Sequence, residues 1–246
     1  MKIYNYPNKK LRSIQKLLEI DPDNPGYLYE LGRVYYDERL FKEAQQAFER
    51  AILQPNVQLT SESCYFLART YYLNKNIDRA IKILLDSFET YPDDQINHKF
   101  LGDIYLEQDE FEKAIKQYED SIRIDPNVPV HYSCLSEAYL RFGKVNEAIS
   151  TLEDGIGLFP TISTLHNQLG HAFEVGGSFV EALTAYSRAA FLEPGVSVFH
   201  TDLGELLLKL GKNQDALIAF KNASRIEPDS KELKERIALI HQKLGK

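Results

Sequence analysis

Tryptophan is absent from this chain of 246 residues, and cysteine and methionine are scarce, with two and one residues respectively. The two cysteines, Cys64 and Cys134, lie far apart and form no C-x-x-C pair, which excludes a disulfide framework and a thiolate metal site. So few cysteines favour a reducing compartment, and we predict a cytoplasmic protein. Long apolar runs are also absent: Asn5 and Pro7 interrupt residues 1–16, so the sequence predicts neither a secretory signal nor membrane insertion.

Basic clusters are missing as well. The formal net charge is -7, and lysine and arginine are scattered along the chain, so we predict no binding to nucleic acid. Hydrophobic residues make up 43% and charged residues 26% of the chain, a composition typical of a folded, soluble protein. The aromatic content is unusual, because 15 tyrosines and 13 phenylalanines accompany the missing tryptophan.

The chain repeats itself with a period of 34 residues. A leucine followed by a small residue recurs at this period after a first spacing of 36: Leu31-Gly32, Leu67-Ala68, Leu101-Gly102, Leu135-Ser136, Leu169-Gly170 and Leu203-Gly204. An alanine marks one later position in every copy: Ala44, Ala80, Ala114, Ala148, Ala182 and Ala216. Each copy closes with a proline: Pro55, Pro92, Pro126, Pro160, Pro194 and Pro228. A period of this length, held over six copies, indicates a helical repeat protein rather than one closed core.

Within each copy, apolar residues recur three and four positions apart, which predicts two helices separated by a turn. We call them helix A and helix B. Small residues on both helices allow close approach of the two backbones, and the closing proline cannot continue helix B. Asn24, Asn127 and Ser230 supply side-chain oxygens for capping the helices that follow them.

On these residues the chain resembles the tetratricopeptide repeat family, whose pattern of Leu-Gly, Tyr, Ala, Phe and Pro has this period. The resemblance covers residues 25–228. It implies an all-α fold, a right-handed superhelical solenoid of antiparallel helix pairs, with six full repeats and a capping helix at each end. The family's usual tryptophan near the start of helix A is replaced here by Leu28, Cys64, His98, Tyr132, His166 and His200.

The expected organisation is one continuous domain. The capping segments are residues 1–24 and 229–246, whose apolar stripes would cover the end repeats, which lack a neighbour on one side. The repeats one to six are residues 25–60, 61–94, 95–128, 129–162, 163–196 and 197–228.

Catalysis would require a nucleophile with a base, paired carboxylates, a metal cluster or a phosphate-binding loop, and the sequence contains no such motif. The nearest metal candidate is the set His98, His166 and His200. These histidines occupy the same repeat position, so regular repeats would hold neighbouring imidazoles about 10 Å apart, too far to share one zinc ion. We therefore predict a non-enzymatic protein with no catalytic residue, no cofactor and no metal, in which these histidines pack like the aromatic residue they replace.

The family resemblance places the binding surface on the inner face of the A helices, which lines a concave groove. The residues predicted to face it are Tyr29, Arg33, Tyr36, Tyr65, Arg69, Tyr72, Lys99, Asp103, Leu106, Glu137, Asn167, His171 and Glu205. The first half of this strip alternates tyrosine with arginine, whereas the second half carries the acids Asp103, Glu107, Glu137, Glu174 and Glu205. We expect a partner segment with acidic or aromatic residues toward repeat two and basic or polar residues toward repeat five. In the alternative interpretation the tyrosine rings only cover neighbouring helices and the arginines are solvated.

Some proteins of this family bind the carboxyl terminus of a chaperone through a clamp of lysine, asparagine and arginine. The corresponding residues here are Tyr29, Arg33, Phe66, Ile96 and Phe100, of which one is basic, so we predict no binding of that type. The leading hypothesis is a protein-interaction scaffold that binds a peptide or helix of a partner in the groove and supports assembly of a multiprotein complex. Two alternatives stay open: a regulatory portion of a larger enzyme such as a transferase or kinase, and a structural protein that associates with itself.

Overall fold

The computed structural model describes residues 9–54 and 60–245. Within these residues all regular structure is helical, which confirms the all-α fold class. The helices are α1 (Lys9–Ile20), α2 (Pro25–Asp37), α3 (Phe41–Ile52), α4 (Ser61–Leu73), α5 (Ile77–Phe88), α6 (Gln95–Glu107), α7 (Phe111–Ile124), α8 (Pro129–Arg141), α9 (Val145–Leu158), α10 (Ser163–Val175), α11 (Phe179–Leu192), α12 (Ser197–Lys209), α13 (Asn213–Ile226) and α14 (Lys231–Lys243). Helices α2 to α13 form the A and B helices of the six repeats in alternation.

The chain divides into two compact units between Ile104 and Tyr105. In the N-terminal unit, α2 packs on α3 and α4 packs on α5. In the C-terminal unit, α10 packs on α11 and α12 on α13, and each of these pairs also contacts its neighbour in sequence. The domain boundaries given above, and the continuity of the chain as one domain, stay predictions.

The ends of the helices follow from the residues found there. Asn24 and Ser230 cap α2 and α14 as predicted, since their side chains accept hydrogen bonds from the N–H groups of Tyr27 and Leu233. The prediction for Asn127 was wrong, because α8 begins at Pro129 with Val128 before it. The N–H of Asn127 is instead bound by the carboxylate of Asp125, which closes a local turn. Pro55 lies outside the described residues.

Each turn between helix A and helix B contains one residue in the left-handed backbone region. Glycine occupies this position in repeats four to six, as Gly143, Gly177 and Gly211. Repeats one to three have Arg39, Lys75 and Asp109 there, with φ between 58° and 65°. A residue with a Cβ atom costs about 1 kcal/mol more than glycine in this conformation. The first three turns are therefore the more strained ones.

A size rule governs the contact between the two helices of a repeat. An ideal Cβ on Gly32 would lie 2.5 Å from the Phe48 ring, and one on Gly170 would lie 2.6 Å from the Tyr186 ring. Gly204 faces Phe220 in the same way, at 3.0 Å. In repeats two and four, helix B has leucine in place of this aromatic residue, and helix A has a residue larger than glycine opposite it. The pairs are Ala68 with Leu84 and Ser136 with Leu152. The bulk of the helix B residue thus decides whether helix A needs glycine.

The two outer helices bury apolar stripes against the adjoining repeats. Ile14 of α1 packs with Leu31, Val34 and Ala47. On α14, Leu233 and Ile240 are buried in a cluster that contains Leu207, Leu217 and Phe220, with Ile237 and Leu244 beside it.

Candidate functional site

The A helices of the N-terminal unit carry all the tyrosines and arginines predicted to bind a partner. Tyr29, Arg33 and Tyr36 lie on α2, and Tyr65, Arg69 and Tyr72 lie on α4. Helices α2 and α4 contact each other directly, so both sets contribute to one surface. We call this surface, together with the Phe66 and Phe100 rings described below, the aromatic face.

Arg33 is held in the aromatic face by two contacts. Its guanidinium carbon lies 3.8 Å from the centre of the Phe66 ring, and Nη1 donates to Oε1 of Glu62 at 2.5 Å. Cation–π stacking and a charge-assisted hydrogen bond both orient the side chain, of which 27% is exposed. Glu62 offsets much of the charge of Arg33.

Arg69 differs from Arg33 because no ion pair of its side chain is found within the described part of the chain. Nη1 donates to the hydroxyl of Tyr65 at 2.5 Å, and the guanidinium carbon lies 5.5 Å from the Tyr65 ring centre and 5.8 Å from that of Tyr36. The side chain is exposed. Arg69 therefore presents a positive charge that a carboxylate from outside the chain can pair with.

Two phenylalanines join the tyrosines and were missing from the predicted site. Phe66 lies 5.3 Å from both Tyr36 and Tyr65, centre to centre. Phe100, which is 8% exposed, lies 5.6 Å from Tyr65 and 5.7 Å from Tyr72. All four contacts are edge-to-face arrangements. A signal for them exists in the sequence, because both directly precede the repeated leucine, 34 residues apart.

Not every predicted residue faces outward to the same degree. The Tyr29 ring packs on Phe48 at 5.4 Å, and its hydroxyl oxygen is buried. For this residue the contacts support the alternative interpretation, in which the ring covers a neighbouring helix. On α6, Lys99 and Asp103 pair with each other at 2.7 Å, so their charges cancel locally.

The predicted residues of the C-terminal unit form a less uniform set. Glu137 is exposed, whereas Leu106 is half-buried. Glu205 pairs with Arg236 of α14 at 2.8 Å. The neighbouring acid Glu174 pairs with Lys209 at 3.0 Å. Two of the acids in the second half of the strip are thus neutralised within the chain.

A polar group centred on Asp202 lies between α10 and α12. Asn167 donates from Nδ2 to Oδ2 of Asp202 at 2.8 Å, and His171 and Glu174 follow Asn167 on the same side of α10. Burial raises the pKa of the Asp202 carboxyl, the charge of Glu174 acts in the same direction, and Asn167 and His171 oppose them. Asp202 was not predicted from the sequence, since an isolated aspartate in helix A resembles any solvated residue.

Replacing Asp202 with asparagine should stabilise the protein at neutral pH. A carboxyl whose pKa is raised by folding binds its proton more tightly in the native state, so stability is lost as pH rises from its ordinary pKa of about 4 through the folded value. Asparagine removes this loss, and we expect the melting temperature at pH 7 to rise by about 2 °C. The difference between the two proteins should vanish near pH 3, in thermal unfolding followed by circular dichroism.

The exposed Glu153→Gln exchange on α9 is the matched control, and its melting temperature should follow that of the wild type across the pH range. A lower melting temperature for Asp202→Asn at pH 7 would show that ionised Asp202 stabilises the fold.

The histidines at the tryptophan position have a structural role. Nε2 of His98, His166 and His200 lies 3.0 Å from the carbonyl oxygen of Pro92, Pro160 and Pro194 respectively. Because a carbonyl only accepts, Nε2 carries the proton and donates. Tyr132 makes the equivalent bond to Pro126 at 3.2 Å. The replaced tryptophan position thus ties helix A to the proline that ends the preceding helix B.

Within residues 9–54 and 60–245, no three histidine, cysteine, aspartate or glutamate side chains are grouped so as to hold a metal ion. Over the same residues, no helix combines the length and the apolar character needed to cross a membrane.

Several family models match the chain. Models described as "TPR repeat" and "Tetratricopeptide repeat" match residues 102–143, 135–196 and 25–54. A fourth, described as "Anaphase-promoting complex, cyclosome, subunit 3", matches residues 40–121. No curated protein sequence matches the chain.

Solved structures share the fold at low sequence identity. The C-terminal part of a TPR repeat-containing protein from Cytophaga hutchinsonii is 17% identical, with a TM-score of 0.77, and the match covers 92% of this chain and 93% of that one. MamA from Desulfovibrio magneticus RS-1 is 14% identical, with a TM-score of 0.61 and coverage of 71% and 99%. A chain of the APC/C hetero-tetramer Cut9-Hcn1 is 16% identical, with a TM-score of 0.62, and the match spans 94% of this chain but 46% of that one.

Proposed function

Because this chain belongs to the tetratricopeptide repeat family, we propose that it is a non-enzymatic scaffold that binds a segment of a partner protein on its A helices and supports assembly of a multiprotein complex. Helical repeats of this kind present extended surfaces to peptides and helices. The similarity to a subunit family of the anaphase-promoting complex and to the Cut9-Hcn1 assembly supports a role in complex assembly. Cys64 and Cys134 are both free, which suits the cytoplasm, where we place this function.

The observation that carries the proposal is the aromatic face around Arg69. A cation without an internal ion pair in the described residues lies beside the half-buried Tyr36 and Tyr65 rings, and half-buried Tyr72 follows it on the same helix. Tyrosine and arginine are over-represented among residues that dominate binding energy, since each combines apolar area with hydrogen-bonding groups. We propose that the partner segment places a carboxylate on Arg69 and an aromatic or aliphatic side chain against the rings.

We restrict this proposal to the N-terminal unit. Glu174 and Glu205 of the C-terminal unit pair with Lys209 and Arg236, so a basic segment would have to displace existing partners there. Arg33 is similarly occupied by Glu62, which leaves Arg69 as the better anchor for an anion. A short segment bound in this way would have a dissociation constant in the micromolar range, about -8 kcal/mol.

Site-specific photo-crosslinking tests the proposal. The crosslinking residue p-benzoylphenylalanine replaces Tyr72 on the aromatic face, and irradiation in native lysate should join the chain to its partner. The matched control carries the same residue at Leu85 on α5, a helix B position that is 45% exposed. We expect a partner crosslinked from position 72 and not from position 85, and its loss when Arg69 is also replaced by alanine. Equal crosslinking from both positions, or none from position 72, would contradict the proposal.

A further inference from the structure

The outer side of α11 exposes large apolar side chains that the proposed function does not use. Val180 is 76% and Phe191 74% exposed, near opposite ends of the helix. Between them, Thr184 and Ser187 are exposed small residues on the same side. The four positions are spaced by four, three and four residues, the spacing with which one helix contacts another along a seam.

A cleft of about 410 Å³ opens beside this seam. Leu169, Phe173 and Ala185 contribute its apolar lining, and Val180 lies at its edge. Ala185 is 5% exposed, and a larger side chain at this position would reach into the cleft. Glu181 and Arg188 stand on its rim, seven residues apart, and therefore on the same flank of α11.

The two rim charges have no ion pair within the described residues. Neither Glu181 nor Arg188 is paired there, although the guanidinium carbon of Arg188 lies 5.4 Å from the centre of the Phe191 ring. An unpaired acid and an unpaired base that share one flank of an exposed apolar seam match a surface with the reversed order of charges.

A second copy of α11 provides that reversed order. When two identical helices pack antiparallel about a two-fold axis, equivalent flanks lie on the same side, so Glu181 of each copy faces Arg188 of the other. Val180 then lies opposite Phe191, and the small Thr184 lies opposite Ser187, which permits close approach at the crossing point. The seam is therefore self-complementary in charge, in apolar content and in size, as an isologous interface requires.

We propose that the chain forms a homodimer through antiparallel packing of α11 on α11, with the ring of Phe191 from each copy against Val180 at the edge of the other copy's cleft. One helix of 14 residues buries less surface than the roughly 1,200 Å² of a stable interface. The dimer is accordingly weak, with a dissociation constant on the order of 100 µM. No residue of the seam belongs to the aromatic face, so this proposal is tested independently of partner binding.

Charge exchange tests the pairing. Glu181→Arg places arginine opposite arginine in the homodimer, and Arg188→Glu places glutamate opposite glutamate, so each variant alone should dimerise at least tenfold more weakly than the wild type. An equimolar mixture restores both attractive pairs, because in the mixed dimer an arginine faces a glutamate at each of the two contacts between positions 181 and 188. The association of wild type, each variant and the mixture is measured by sedimentation equilibrium from about 5 µM to 1 mM.

Two further variants separate the seam from other surfaces. Phe191→Ser should abolish association over this range, whereas Leu158→Ser, an exchange of a residue of α9 that is 54% exposed and lies outside the seam, should leave it unchanged. Far-ultraviolet circular dichroism verifies that each variant keeps the helix content of the wild type. The proposal is supported if the wild type dimerises and the mixture associates more tightly than either single variant. It is overturned if the wild type stays a single chain up to about 1 mM, or if the mixture associates no better than its components.

Discussion

Replacing Gly170 with alanine should destabilise the protein by about 2 kcal/mol, against the usual preference of helices for alanine. The new Cβ would lie 2.6 Å from Cδ1 and 2.8 Å from Cε1 of Tyr186. That ring cannot easily move, because Tyr186 is 3% exposed and its hydroxyl donates to Glu174 at 3.2 Å. Overpacking of a buried ring therefore outweighs the gain of roughly 1 kcal/mol from helix propensity. Chemical denaturation of both proteins gives the free energy difference.

The same exchange should reverse its sign when Tyr186 is leucine. Repeats two and four combine leucine at this position with Ala68 and Ser136, which shows which pair of sizes fits. In the Tyr186→Leu background, Gly170→Ala should stabilise the protein by about 0.5–1 kcal/mol through helix propensity alone. The coupling energy of this double-mutant cycle measures the steric conflict directly. An equal loss in both backgrounds would mean that Gly170 is required for a reason other than the Tyr186 ring.

The helical framework could be predicted because each repeated residue has one dominant physical role. Proline follows the end of helix B by two residues in repeats three to six and by four residues in repeat two, and small residues mark the close contact between the helices. The end of helix B and the close contact of helices A and B depend on local geometry that recurs with the 34-residue period. Each of the six copies therefore supports the same structural prediction. The capping prediction for Asn127 was wrong because it rested on a single residue and not on the repeat. Asn127 could either cap the next helix or form a turn with Asp125, and it forms the turn.

The binding residues were less predictable, because their roles depend on contacts between different repeats. Arg33 and Arg69 occupy the same repeat position, yet Glu62 pairs with Arg33 and no ion pair of Arg69 is found within the described part of the chain. The pairing of Glu205 with Arg236 likewise joins a repeat to the last helix. Phe66 and Phe100 were compared only with the residues of the chaperone clamp and were not included among the residues predicted to face the groove. The repeat period predicts where a side chain lies on its own helix, but it does not predict which side chain of another repeat will pair with it.

Replacing Arg33, Arg69 and Tyr72 together with alanine should weaken partner binding at least 100-fold, about 3 kcal/mol or more. Removal of Arg69 deletes the proposed contact with a carboxylate of the partner segment. Removal of Tyr72 deletes half-buried aromatic surface beside Phe100. Removal of Arg33 exposes the Phe66 ring and leaves Glu62 as an unpaired negative charge that repels an acidic segment. The three side chains lie on the helix surface, so the melting temperature should change by no more than a few degrees.

A second triple variant, on helix B of repeat two, controls for nonspecific effects. Lys82, Leu85 and Glu89 are exposed residues at or just after α5, and they are replaced by alanine in this variant. Partner binding by this variant should equal that of the wild type.

The most direct measurement is an isothermal titration of the partner segment recovered by crosslinking against the wild type, the Arg33/Arg69/Tyr72 variant and the Lys82/Leu85/Glu89 variant. Binding through the aromatic face predicts a micromolar dissociation constant for the wild type and the α5 variant, and a dissociation constant at least 100-fold higher for the first triple variant. An unchanged dissociation constant for the Arg33/Arg69/Tyr72 variant would contradict the assignment of partner binding to this face.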